Sequence, residues 1–260
     1  MREKGTARDD CRTSDICYVI KSSLDILLPR TCCVCGRRLF PEERHICREC
    51  LEDLPLTFTW DRRFNGIADR LNEAIQESIS EYEPYSYVAS LFFYDEGNGY
   101  RHICHNLKYH GDISEGRYFS RILGRFLAGS PLFKDVDIVI PVPLHWTREW
   151  SRGYNQAAVI GKEIACILGS GFYPSALKRT RRTISQTTLD YEDKRKNVTG
   201  AFSLSERILR LRPDEYPRHI LLTDDVFTSG STTAACHNTL RRIFPASVRI
   251  SVATLAAVDI

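Results

Sequence analysis

The sequence of 260 residues lacks any apolar run that approaches the ~20 residues of a membrane-spanning helix. Residues 1–15, MREKGTARDDCRTSD, mix charges of both signs and lack the apolar core and small-residue cleavage site of a signal peptide. We therefore expect a cytoplasmic protein without membrane insertion. In that compartment the ten cysteines are better explained by metal binding or burial than by structural disulfides.

The sequence also lacks a strong excess of positive or negative charge. The formal net charge is +3, which is too small to indicate a nucleic-acid partner by itself, so any basic site has to be local. The chain contains no internal repeat and no low-complexity segment. Its 43% hydrophobic and 27% charged residues are typical of a globular protein and exclude a disordered one. The length predicts a main domain of roughly 200 residues and a small additional module.

Half of the cysteines lie within residues 32–50, CCVCGRRLFPEERHICREC. A Cys-x-x-Cys turn directs two thiolates at one point, and two such turns complete a tetrahedral zinc site. The two pairs predict a structural zinc ion held by Cys32, Cys35, Cys47 and Cys50. Four protein ligands leave no coordination position open for chemistry. A redox dithiol and unrelated buried thiols are the alternatives, but a redox dithiol is typically a single pair.

Two alternatives for the zinc ligands stay open. Cys33 can replace Cys32 only through a tighter Cys-x-Cys turn, and His45 can substitute for a thiolate. Before the module, apolar residues between Ile16 and Leu28 recur at helical spacing, which predicts an amphipathic helix that ends at Pro29. We therefore assign residues 1–57 to an N-terminal helix and zinc-binding module.

Residues 58–260 alternate strand and helix patterns. DVDIVIPVP and RHILLTDDVF are typical of buried parallel strands, and apolar stripes between such runs predict helices. This alternation predicts an α/β fold in which a mostly parallel sheet is flanked by helices on both faces.

One of these strands leads into two acids and a hydroxyl-rich loop, in the segment HILLTDDVFTSGST at residues 219–232. In such sheets ligands bind beyond the carboxyl ends of the strands. Asp224 and Asp225, placed at the end of the strand, suit a diol or a Mg²⁺-bound group. The loop Thr228–Thr232, which enters a helix, offers backbone amides and hydroxyls to a phosphate. The alternative is a turn with an Asp N-cap, which needs neither the second acid nor the loop.

This segment resembles the ribose-phosphate motif of type I phosphoribosyltransferases. The resemblance implies that Asp224 and Asp225 contact the 2- and 3-hydroxyls of ribose. It also implies that the 5-phosphate is held by Thr228, Ser229, Gly230, Ser231 and Thr232. Ser229 stands where the usual pattern has threonine, but it keeps the hydroxyl.

Further segments resemble the ComF family, cytoplasmic bacterial proteins linked to DNA uptake in competence. They are LKYHGD at residues 107–112, PVPLHWTREWSRGYNQAAVIGKEIA at 141–165, and SQTTLDYEDKRKNVTGAF at 185–202. ComF proteins place a four-cysteine zinc module before a phosphoribosyltransferase-like domain, the order found here. The resemblance covers nearly all of the chain from about residue 24.

The resemblance implies binding of phosphoribosyl pyrophosphate with Mg²⁺ and transfer of its phosphoribosyl group to an acceptor. The turn Pro141–Leu144 is the candidate pyrophosphate loop, through the backbone amides of Leu144 and His145. Arg148 and Arg152 follow it and suit phosphate oxygens. A second basic group, before an expected flap, contains Lys178, Arg179, Arg181 and Arg182. Each arginine taken alone is equally well explained as a solvated surface residue.

A second function stays open beside the enzyme. The same fold serves in non-enzymatic binding proteins, so the chain is alternatively a competence or DNA-uptake accessory protein. Its arginines and zinc module would then contact single-stranded DNA or a competence helicase. The sequence indicates neither the acceptor nor the oligomeric state.

Overall fold

The computed structural model describes residues 29–77, 82–95, 97–180 and 200–258. The predicted helix between Ile16 and Leu28 lies outside these ranges, as do Arg181, Arg182 and most of the predicted flap. Within them, no helix combines the length and apolarity needed to cross a membrane.

Five parallel strands form the central sheet, and two short antiparallel strands form a separate pair. In chain order the strands are β1 (Val88–Tyr94), β2 (Ile138–Pro141), β3 (Gly171–Phe172), β4 (Leu177–Arg179), β5 (Phe202–Leu204), β6 (His219–Phe227) and β7 (Arg249–Val258). The spatial order of the sheet is β1-β7-β6-β2-β3, and β4 pairs with β5. The predicted α/β fold with a mostly parallel sheet is confirmed.

Helices cover both faces of the sheet. They are α1 (Arg48–Glu52), α2 (Gly66–Gln76), α3 (Arg101–His105), α4 (Ile113–Gly129), α5 (Trp146–Arg152), α6 (Gln156–Leu168), α7 (Glu206–Leu209) and α8 (Ser231–Arg241). A π-helical turn, Asn106–His110, continues α3. α4 and α6 pack against each other on one face, and α2 and α8 pack against each other on the opposite face.

The core consists of one apolar layer on each side of the sheet. On β6, Ile220 and Leu222 belong to the layer beneath α2 and α8, whereas Leu221 belongs to the layer beneath α4 and α6. All three are fully buried. Because both faces are covered, these three consecutive residues are all apolar rather than alternating with polar ones, which is the pattern from which the strand was predicted.

The cysteine module packs onto the layer that contains α4. Leu39 and Ile46 are buried in the same cluster as Phe92 of β1. The segment after the four cysteines runs alongside β1, where the Phe93 N–H donates to the Pro55 carbonyl at 2.9 Å. The boundary between residues 57 and 58 stays a prediction, because the apolar cluster extends across it.

The structure places the two acids inside β6 rather than after it. β7 continues beside β6 as far as the Phe227–Ala257 pair, so the ladder holds both acids in an extended strand. On the other side, β2 stops where Pro141 pairs with Thr223. Asp224 and Asp225 therefore lie beyond the carboxyl end of β2, where their side chains border an open cleft.

Candidate functional site

A cleft of about 290 Å³ opens at the carboxyl edge of the sheet. It is lined by residues from six separate parts of the chain: the end of β1, the π-helical turn, residues 142–157, β4, the β6–α8 segment and the end of β7. Among the predicted residues, the cleft brings together Leu144, Arg148, Arg152, Arg179, Asp224, Asp225, Thr228 and Thr232. Residues separated by up to about 90 positions in sequence thus meet where parallel sheets hold their ligands.

The two acids differ in their surroundings. The carboxylate of Asp225 forms an ion pair with Lys108, with 3.0 Å between Oδ2 and Nζ. The Asp224 carboxylate accepts a hydrogen bond from the backbone N–H of Asp225 at 2.9 Å. Burial and the neighbouring Asp225 charge raise the pKa of Asp224 to about 7, although Lys108 and Arg179 oppose the shift. A bound cation would reverse this shift and hold Asp224 ionised.

Lys108 belongs to the π-helical turn and reaches across to the acids. Burial disfavours its charge, but the carboxylate of Asp225 outweighs that effect and raises the pKa of Lys108. The ammonium group therefore stays protonated and compensates one of the two adjacent carboxylates. Lys108 was noticed in the sequence only through the LKYHGD resemblance, because its pairing with Asp225 spans more than a hundred residues.

The hydroxyl-rich loop turns from β6 into α8 at Gly230, which has a φ of 74°. The Ser229 and Ser231 hydroxyls lie 2.9 Å apart, and the Thr233 hydroxyl donates to the Gly230 carbonyl at 2.8 Å. Ser231 is the first residue of α8, so its backbone N–H belongs to the positive end of that helix. Thr228 and Thr232 border the cleft. The loop thus has the chemistry of an anion site.

Arginines form another wall of the cleft. Arg148 and Arg152 project from α5, and Arg152 donates to the Gln156 side-chain carbonyl at 3.0 Å. Its guanidinium also lies over the Tyr109 ring, 5.3 Å from the centroid. Arg179, on β4, faces the same cleft, and burial lowers its pKa. The wall provides donors suited to phosphate oxygens.

His145 serves the local structure of this wall. It is the N-cap of α5, and its Nδ1 lies 2.8 Å from the Thr147 hydroxyl. The ring is buried. The prediction for His145 concerned its backbone amide, and that role stays a prediction. Sequence reasoning missed α5 itself, because its short WTREWSR pattern has no apolar stripe.

The four predicted zinc ligands come together near the N-terminal end of the described chain. The sulfur atoms of Cys32, Cys35, Cys47 and Cys50 all lie within 4.8 Å of one another. The Cys35 and Cys47 sulfurs are 3.8 Å apart, which matches the edge of about 3.8 Å that a tetrahedron with Zn–S bonds of about 2.3 Å requires. The donor set and its spacing therefore fit zinc.

The surroundings of the cluster separate Cys32 from Cys33. The Cys47 N–H donates to the Cys32 sulfur at 3.4 Å, and the Cys50 N–H donates to the Cys47 sulfur at the same distance. Such bonds stabilise thiolate ligands. Cys33 is directed instead towards Glu115, and burial raises the pKa of its thiol. The structure thus favours Cys32 as the ligand and leaves His45 outside the four-sulfur cluster.

Part of this chain is similar in sequence to known proteins. No protein-family model matches it. Competence protein F of Haemophilus influenzae is 36% identical over 108 residues, which are 41% of this chain and 45% of the relative. DNA utilization protein YhgH of Escherichia coli O157:H7 is 34% identical over 114 residues, which are 44% of this chain and 47% of the relative. These matches support a ComF family protein.

The extent of these matches is limited. YhgH of Salmonella typhi is 31% identical over 129 residues, which are 50% of this chain and 52% of that protein. The chain thus spans about half the length of the curated relatives it matches. The similarity supports the ComF family, and the chemistry of the cleft has to be argued from its own residues.

Proposed function

We propose that the cleft binds phosphoribosyl pyrophosphate with Mg²⁺ and transfers its 5-phosphoribosyl group to an acceptor. The observation that carries this proposal is the meeting, in one cleft, of two acids, a hydroxyl-rich helix start and two arginines. An acid pair suits the ribose diol, a helix start suits a single phosphate, and arginines suit a pyrophosphate. The names of the relatives, which refer to competence and DNA utilization, favour a role in handling DNA.

Each group has a role in this proposal. Asp224 and Asp225 contact the ribose hydroxyls, while residues 228–232 hold the 5-phosphate. The backbone of Leu144 and His145, with Arg148 and Arg152, receives the pyrophosphate. During transfer, positive charge develops on the ribose and negative charge on the leaving group, and preorganised groups of opposite sign stabilise both. Mg²⁺, when bound, supplies charge neutralisation between the diol and the pyrophosphate.

Calorimetric titration of phosphoribosyl pyrophosphate with Mg²⁺ tests the proposal. We expect saturable binding by the wild type and none by Asp224→Asn/Asp225→Asn. Asp214→Asn is the matched control, because Asp214 is an exposed acid that pairs with Arg212 away from the cleft. Absence of binding in a folded, zinc-loaded wild type would remove the ribose-phosphate assignment.

A surface that adjoins the cleft and shares Arg148 and Arg152 with it favours a second candidate function, binding of single-stranded DNA. Trp146 and Trp150 are 69% and 85% exposed and lie one turn apart on α5. An open cavity of about 620 Å³, lined by Tyr109, Arg148 and Arg152 among others, adjoins the cleft. Exposed aromatic rings stack on bases, and neighbouring arginines contact phosphates. We propose this face for an extended nucleotide chain, and a competence helicase would meet the protein through DNA bound there.

Fluorescence titration with an oligothymidylate separates the two candidates. We expect Trp146→Ala/Trp150→Ala to weaken binding at least tenfold, because stacking contributes about 1–3 kcal/mol per base. Phe64→Ala, which removes an aromatic ring that is 66% exposed elsewhere, is the control. If the wild type binds DNA in a salt-dependent way and both variants bind it with the same affinity as the wild type, the stacking role is wrong. The Asp224→Asn/Asp225→Asn variant should keep DNA binding, so each function can fail without the other.

A further inference from the structure

A second cluster of metal-ligating side chains lies beside the four cysteines. It consists of His45, from the cysteine module, and Asp112 and Glu115, from the start of α4. One ligand atom from each residue lies within 4.8 Å of the other two. None of the three is used by the zinc cluster or by the cleft.

Neighbouring groups hold these three side chains in place. Asp112 caps α4 by accepting a hydrogen bond from the Glu115 N–H at 2.9 Å. The Asn106 amide donates to the Glu115 carboxylate at 3.1 Å. His45 Nε2 lies 3.2 Å from the Ser114 hydroxyl. Metal sites depend on such outer contacts to orient their ligands.

The two carboxylates lack a cationic partner within the described part of the chain. Glu115 is only 3% exposed, and neither it nor Asp112 forms an ion pair with a described basic side chain. Burying a carboxylate without a paired positive charge is costly even where it accepts hydrogen bonds. The N-terminal end of α4 supplies partial positive charge, but its influence is limited to about 0.3–1 kcal/mol at most surfaces. A divalent cation would compensate both carboxylates.

We propose that His45, Asp112 and Glu115 form a second metal site, for a divalent first-row ion such as Mn²⁺. One imidazole nitrogen and two carboxylate oxygens are harder donors than four thiolates, so this site and the zinc site prefer different ions. Its ligands come from the cysteine module and from α4. A bound ion would therefore fasten the module to the helix that follows the π-helical turn.

Titration with Mn²⁺, followed by the electron paramagnetic resonance signal of the free ion, tests this site. Mn²⁺ prefers oxygen and nitrogen donors and leaves the thiolate site to zinc. The zinc-loaded protein carries Asp224→Asn/Asp225→Asn, so that the cleft acids contribute no binding. We expect one bound Mn²⁺ per chain in this background and at least tenfold weaker binding after Glu115→Gln or His45→Gln.

Two further variants separate ligation from folding. Asp112→Asn keeps the helix cap, because asparagine caps as well as aspartate, yet it removes a charged ligand and should weaken Mn²⁺ binding at least tenfold. Glu49→Gln, at an exposed acid of the cysteine module, should leave Mn²⁺ binding unchanged. No Mn²⁺ binding by the folded, zinc-loaded parent, or equal binding by the parent and Glu115→Gln, would overturn the proposal.

Discussion

Asp224→Asn is expected to stabilise the ligand-free protein while it abolishes binding of phosphoribosyl pyrophosphate. Asp224 is partly buried beside the charge of Asp225, and its carboxylate accepts only a backbone hydrogen bond among the contacts described above. Its ionised form is thus unfavourable until a cation or a diol arrives. Replacing it with a neutral amide of similar shape removes that cost.

The size of the effect follows from the pKa. The pKa of Asp224 is raised from its ordinary 3.8 to about 7, and about 1.4 kcal/mol per pH unit gives an upper limit of about 4 kcal/mol. Water enters the open cleft, and the amide also loses attraction to Lys108. We therefore expect a gain of about 1–2 kcal/mol in the free energy of unfolding at about pH 8.

The stabilisation by Asp224→Asn depends on pH in a defined direction. An acid whose folded-state pKa is raised destabilises the fold above that pKa, and the destabilisation diminishes as the pH falls towards 3.8. The gain from Asp224→Asn should thus be largest near pH 8 and fall to about half near pH 5.5. Urea unfolding of the zinc-loaded wild type and Asp224→Asn at both pH values measures this gain in the free energy of unfolding.

Asp225→Asn is the matched control with the opposite expected sign. It leaves the ammonium group of Lys108, which is only 27% exposed, without its carboxylate partner. That loss should lower the free energy of unfolding by about 1–3 kcal/mol. If Asp224→Asn destabilises the protein as much as Asp225→Asn does, the proposed difference between the two acids is wrong.

Three further predictions concern the cysteine cluster, the hydroxyl-rich loop and the link between the cluster and the cleft. Cys47→Ser should lose bound zinc and solubility together, whereas Cys166→Ser, at an exposed thiol, should keep both, as metal analysis and gel filtration would show. Gly230→Ala should lower the free energy of unfolding by about 1–3 kcal/mol, because φ is 74° and a Cβ would lie 2.9 Å from the Phe227 ring. It should also weaken ribose-phosphate binding at least tenfold by calorimetry. Tyr100→Phe, which removes a hydrogen bond to the Cys50 carbonyl, should keep zinc but weaken that binding several-fold.

The main strands could be predicted because a strand that is buried on both faces has consecutive apolar residues. Within DVDIVIPVP and RHILLTDDVF, residues 138–140 and 220–222 are consecutively apolar for this reason, and β2 and β6 pair as neighbours in the sheet. The hydroxyl-rich loop and the four cysteines could be recognised in the sequence for a different reason, since their chemistry depends on residues that are close together in the chain. Patterns of this kind need no knowledge of the tertiary structure.

The missed features depend on contacts between distant segments. β4 and β5 have three residues each and pair across the interval from Arg179 to Phe202, so neither has a recognisable pattern of its own. The extension of β6 through Asp224 is imposed by β7, which local propensity does not report. The cluster of His45 and Glu115 likewise exists only after the module packs on α4.

Lys108 lies on a segment that contacts both the cysteine module and the cleft. Lys108 lies on a π-helical turn after a helix of five residues, and a helix that short is unstable without tertiary support. The module supplies support at the start of this segment, where the Tyr100 hydroxyl donates to the Cys50 carbonyl at 2.9 Å. At its end, Tyr154 donates to the Leu107 carbonyl. Loss of metal from the cysteine cluster would therefore loosen the segment that carries Lys108 and weaken its ion pair with Asp225. We therefore expect the stability of the cluster and that of the cleft to be coupled, although no cysteine among the described residues lines the cleft.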